Sequence, residues 1–154
     1  MNLFTKTLLS ILIAALGFSS CAKRKAKKQA KADKDIITKY ISGHNLNAQS
    51  TGSGLYYVIT TPGTGAQPNE SSTVTVNYKG YLANSTVFDQ SVSTGLTFNL
   101  GSVIKGWQEG IPLFKKGGKG ILLIPSALGY GNQAKPGIPA NSVLIFDVEL
   151  LDVQ

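Results

Sequence analysis

Few side chains in these 154 residues are equipped for covalent or metal chemistry: one cysteine, one histidine and eight carboxylates. Cys21 sits in an N-terminal leader, and His44 has no second histidine or available thiol with which to share a metal. A zinc site is therefore excluded, and no cofactor is expected. The nucleophile elbow, the Walker loop and the HExxH helix are all missing. Gly117-Gly118 and Gly129-Tyr130-Gly131 are too short to cradle phosphate. What remains is an apolar, aromatic inventory with a few hydroxyls and one well-placed acid, suited to gripping or distorting a neutral group. Its centre is Val103-Ile104-Lys105-Gly106-Trp107-Gln108-Glu109-Gly110, which holds the only tryptophan. A rigid indole, apolar except for one N–H, makes a good pocket floor, although a lone tryptophan is more often plain core.

The elements that must carry this chemistry are read from periodicity. Gly54 opens a β-rich region, with a strand at Leu55–Thr60 ended by Pro62-Gly63-Thr64-Gly65. Val74–Leu82 alternates and puts Val74, Val76, Tyr78 and Gly80 on one face. Strands follow at Val87–Asp89 and Leu96–Gly101, then the Trp107 helix, closed by Pro112 and a Lys115–Gly118 turn. Lys119–Pro125 and Ser142–Asp152 are the last strands, separated by a long Gly/Pro-rich loop from Ser126 to Asn141. This pattern predicts an α+β domain over residues 50–154, a mostly antiparallel sheet wrapped on one short helix.

The formal charge of +7 lies outside that domain. Lys23–Lys39 carries eight basic residues and two acids, whereas Tyr40–Gln154 has six of each. Nucleic acid is not expected as a partner, because no aromatics interleave with the lysines. Ala22–Lys34 lacks hydrophobic periodicity and predicts a solvated basic tether within residues 22–49. Ile36, Ile37, Tyr40 and Ile41 then fall at helical spacing before Gly43, a short amphipathic helix that packs on the domain or mediates pairing. His44 just beyond it is expected to be a solvated loop residue. Residues 1–21 have the plan of a targeting leader: Lys6, an apolar run from Leu8 to Phe18, then Ser19-Ser20-Cys21. Phe-Ser-Ser-Cys resembles the lipobox of bacterial lipoproteins. That resemblance implies lipidation at Cys21, membrane attachment through it, and an exported protein of the bacterial cell envelope.

Within the domain six segments stand in one order: Val76-Asn77-Tyr78-Lys79-Gly80, Phe88-Asp89-Gln90-Ser91, the Val103–Gly110 stretch, Gly117-Gly118-Lys119, Ile124-Pro125 with Tyr130-Gly131, and Pro136-Gly137-Ile138-Pro139 through Leu144–Leu150. In that order and spacing they resemble the FKBP-type peptidyl-prolyl cis-trans isomerases, the macrolide-binding immunophilins. The resemblance implies an FKBP-like curled sheet around one helix, with proline-containing polypeptides as substrates and macrolide inhibitors as ligands. It also implies a pocket of Phe88, Phe98, Val103, Trp107, Ile138 and Phe146 for the proline, with Tyr78, Asp89, the Ile104 N–H and Tyr130 acting on the peptide. Leu96 and Ile121 depart from the family's usual aromatic and basic residues. A peptide-binding or chaperone module using the same surface without turnover is the competing reading.

Overall fold

The computed structural model describes residues 3–154, with side chains from residue 21 onward. Of the leader expected over residues 1–21, residues 1–20 lie outside the described side chains, and Cys21 is exposed. Helix α1 spans Leu3–Gly43, and seven strands follow: β1 Gln49–Ser50, β2 Tyr56–Thr61, β3 Thr73–Leu82, β4 Val87–Gln90, β5 Leu96–Asn99, β6 Lys119–Ile124 and β7 Leu144–Val153. Helix α2, Lys105–Gly110, lies between β5 and β6. All strand pairs are antiparallel, in the order β1-β2-β6-β7-β3-β4, with β5 also pairing β3.

The long strand β3 is the frame. Its alternation buries Val74, Val76 and Gly80 on the inner face, and β7 pairs with it along almost its whole length, Gly80 opposite Phe146 and Tyr78 opposite Val148. Helix α2 closes that inner face. It comes close to β6 because Gly106 and Gly110 have no side chains: a Cβ on Gly106 would collide with Ile124, and one on Gly110 would lie 2.8 Å from Leu122. The resulting core joins Leu55, Val74, Val76, Leu100, Trp107, Ile111, Phe114, Leu122, Ile124, Leu144, Phe146, Val148 and Leu150. A curled antiparallel sheet around one short helix is thus the architecture, as expected.

The outer face holds the main departure from the sequence reading. Instead of a solvated tether up to Lys34 and a new helix near Ile36, α1 runs unbroken through this region. Ala, Lys, Arg and Gln are all strong helix formers, and the stretch contains no Gly or Pro to stop it. Residues 21–28 are exposed, but from Gln29 onward one face docks on the sheet. Ile37 is fully buried against Leu123, Val143 and Ile145, with Tyr40, Ile41, Tyr56, Tyr81 and Ile121 around it. Of the two fates left open for this helix, packing on the domain is seen directly. Its last turn leads into β1, so the folded unit begins well before residue 50. His44 is exposed and stacks on Tyr40, ring centroids 3.9 Å apart, with its Nδ1 2.9 Å from the Tyr40 carbonyl.

Candidate active site

Ten residues from five elements and two loops meet in a single cavity of about 570 Å³ on the inner side of the sheet. They are Tyr78 from β3, Phe88 and Asp89 from β4, Phe98 from β5, Val103 and Ile104 at the entry to α2, Trp107 within it, Tyr130 and Ile138 from the long loop, and Phe146 from β7. Every pocket residue anticipated from the sequence is among them. Leu96, Ser102, Lys135 and Pro136 complete the wall.

Trp107 is 5 % exposed and lies at the base. Three rings surround the indole: Tyr78 at 5.0 Å and 86°, Phe98 at 5.2 Å and 49°, and Phe146 at 5.1 Å and 81°. Phe88 stands edge-on to Phe146 at 5.5 Å and 85°. Edge-to-face contacts between aromatic quadrupoles add to the area they bury and fix each ring in orientation. The indole N–H is buried with no hydrogen-bond partner among the described residues, so the indole contributes shape and apolar surface at the floor.

Gly80 makes this ring cluster possible. A Cβ there would lie 2.7 Å from atoms of both Phe146 and Phe88, so only glycine lets the two rings close over the strand. The alternation of β3 placed Gly80 on the inner face in sequence. Its pairing with the two rings required the register of β3 with β4 and β7.

The polar groups lie at the rim. The Tyr78 hydroxyl donates to Asp89 Oδ2 at 2.8 Å. Burial, then the bond to Asp89 and the charges of Asp89 and Tyr130, push the Tyr78 phenol up to about 12, so it remains a donor throughout the neutral range. Ser91 Oγ donates to Asn77 and accepts from the Tyr78 N–H, which ties the end of β4 to β3 beside Asp89. Ile104 caps α2 with its carbonyl, accepting from the N–H groups of Trp107 and Gln108. Among the described residues neither the Ile104 N–H nor the Tyr130 hydroxyl has an intramolecular partner. Lys135 Nζ lies 5.7 Å from the centroid of the Tyr130 ring, and Lys135 and Ile138 bond reciprocally across the loop. Lys135 was not singled out in the sequence; only the fold of the loop carries it to the rim.

Comparison with known proteins bears on the same segments. The pattern of the family described as FKBP-type peptidyl-prolyl cis-trans isomerase matches residues 64–151. The chain is 43% identical over 143 residues to the FKBP-type peptidyl-prolyl cis-trans isomerase FkpA of Escherichia coli K12, covering 86% of this chain and 53% of that protein. It is 45% identical over 152 residues to a probable FKBP-type peptidyl-prolyl cis-trans isomerase of Haemophilus influenzae, covering 96% of this chain and 62% of that one. The chain thus spans little more than half the length of these curated relatives. The crystal structure of FkpA from Escherichia coli superposes with a TM-score of 0.73 at 39% identity, over 97% of this chain and 71% of that one. With the family's pattern matched over more than half its length and the curled sheet and helix shared, this chain belongs to the FKBP-type peptidyl-prolyl cis-trans isomerase family.

Proposed function

We propose that the chain catalyses cis/trans isomerisation of X-Pro bonds in exported polypeptides. The observation that carries this reading is the aromatic cavity over Trp107, with two donors unpaired among the described residues, the Ile104 N–H and the Tyr130 hydroxyl, at its mouth. Isomerisation needs no nucleophile and no proton transfer. Its barrier of about 20 kcal/mol is the amide resonance lost as the C–N bond twists. A twisted amide has less charge separation than a planar one, so a water-poor pocket disfavours the planar ground state relative to the transition state. In this reading Trp107, Phe98, Phe146, Val103, Phe88 and Ile138 hold the proline ring. Ile104 and Tyr130 donate to substrate carbonyls on either side, and Asp89, fixed by Tyr78, faces the bond that turns.

Proline-limited refolding of a denatured client tests the activity. The wild type accelerates the slow phase, and Trp107→Ala combined with Asp89→Ala abolishes the acceleration. Equal acceleration by both proteins would sink the reading. Two finer parts belong to the same proposal. Cys21 is acylated and, with the basic residues that follow it, holds the protein on an anionic membrane; membrane fractionation of Cys21→Ser against wild type tests this, since one acyl chain or a basic patch alone attaches only weakly. Macrolides of the kind the family binds enter the same cavity, and quenching of the single tryptophan during titration reports it.

A further inference from the structure

Helix α1 reaches the candidate site through one buried carboxylate. Asp33 is 1 % exposed, and so is its partner Ser126. Asp33 Oδ2 accepts from the Ser126 N–H at 2.9 Å and from Ser126 Oγ at 2.6 Å, while Oδ1 accepts from Gln29 Nε2 at 2.7 Å. A buried carboxylate is expensive unless its lone pairs are filled, and here three donors fill them. Ser126 follows Pro125 and opens the 3-10 turn Ser126–Leu128, for which Pro125 provides no side-chain cap. Asp33 supplies that missing acceptor from 93 residues away.

The other side of the same serine faces the site. Its carbonyl accepts from the N–H groups of Gly129 at 3.0 Å and Gly131 at 2.8 Å. Tyr130 lies between those two amides. Gly131 in turn accepts from the Asn141 N–H at 2.7 Å, at the far end of the loop. Ser126 is therefore gripped on its donor side by α1 and, on its acceptor side, holds both neighbours of the tyrosine at the rim. Tyr130 itself is 37% exposed, and its other contacts are within the loop: its carbonyl accepts from the Gln133 N–H at 3.1 Å, and Lys135 Nζ lies over its ring.

We infer that Asp33 is a positioning residue for Tyr130, acting through Ser126, so that docking of α1 on the outer face sets the orientation of a donor in the pocket on the inner face. This rests on the isomerase reading for its catalytic consequence, but the clamp itself is a statement about the loop. Without the carboxylate, Ser126 keeps two buried donors with no partner, and the turn beneath Tyr130 loosens. Asp33→Asn retains the acceptor oxygen facing Ser126, and the Gln29 amide can turn over to match the new NH2.

The test uses the full chain in three variants, Asp33→Ala, Asp33→Asn and Tyr130→Phe, and the double variant Asp33→Ala/Tyr130→Phe, each with its thermal unfolding recorded. Asp33→Ala lowers kcat/KM on a proline peptide several-fold, and Asp33→Asn restores most of it. In the Tyr130→Phe background Asp33→Ala has little further effect, because the group it positions is gone. The Gly129 and Gly131 amides exchange with solvent roughly tenfold faster or more in Asp33→Ala. Equal losses from Asp33→Ala in both backgrounds would overturn the inference, and so would amide exchange at the wild-type rate. Should Asp33→Ala fail to fold, Asp33→Asn decides by the same exchange measurement: fast exchange in a folded Asp33→Asn contradicts the acceptor role. A wild type without turnover would remove the isomerase reading instead, leaving the amide exchange to decide whether α1 holds the loop.

Discussion

At the residue scale the cavity depends on a few side chains whose roles separate cleanly. Trp107 contributes shape and an unpaired N–H, so replacing it tests size against polarity. Trp107→Ala leaves a void beside three rings and costs about 3–5 kcal/mol of stability together with most turnover. Trp107→Phe loses less than its area implies, since it also removes a buried donor whose lack of a partner costs about 1–3 kcal/mol. Chemical denaturation and peptide turnover on both variants check this; equal damage from the two would mean that the cavity does not depend on indole volume. Tyr78 gives a prediction in pH. Its folded-state pKa lies above the unfolded value, so the stability it contributes is complete below about pH 10 and is lost as pH rises through about 12. Wild type therefore loses stability across that window more steeply than Tyr78→Phe, measured as unfolding midpoints against pH. Tyr81, half-buried beside Tyr40 and Asp147, is also raised, so two phenols lag in a spectrophotometric titration. Trp107 and Tyr78 were legible in sequence because their segments have a distinctive order. Lys135 and Gly80 were not assigned a part in the pocket, because their neighbours come from other strands or from the path of an irregular loop.

At the element scale the sheet is covered on both faces, and each cover is secured differently. Helix α2 is short and held by the close approach that Gly106 and Gly110 allow. Helix α1 is long, and its docked segment is held by Ile37 in an apolar slot and by the polar Gln29–Asp33–Ser126 chain. Ile37→Ala is expected to destabilise the fold by about 2–4 kcal/mol, the usual cost of emptying a fully buried site, whereas Ile36→Ala, at an exposed position, costs little. Urea unfolding of the pair distinguishes docking from a loosely attached helix, for which both changes would be neutral. The outer cover left a trace in the strands. Ile121–Ile124 and Val143–Phe146 are continuously apolar, the pattern of strands buried on both faces, where an open sheet would alternate. The apolar end of the docking face, Ile37 to Ile41, showed in its helical spacing; its earlier part was hidden because Gln29 and Asp33 are polar, and hydrophobic periodicity counts only apolar positions.

At the scale of the whole molecule, β3, β6 and β7 form a central antiparallel block with α1 and α2 on opposite faces, and the site opens where β4, β5 and two loops leave that block. Backbone amides of β6, β7 and the middle of β3 should exchange slowest, those of β1 and of residues 21–28 fastest, with the Tyr130 loop between them. Exchange measured along the chain checks the order; a Tyr130 loop as fast as residues 21–28 would contradict its attachment to α1. The sequence alone determined the strand alternation, the Trp107 helix, the family and ten residues that the fold brings to one cavity, because these depend on local periodicity and on segments whose order carries their meaning. Only the tertiary structure decided that the basic segment is helix, that its end belongs to the domain, and that Asp33 meets Ser126 across 93 residues. A buried polar pair has no periodic signature, since each partner looks like an ordinary surface residue until the fold removes the water between them.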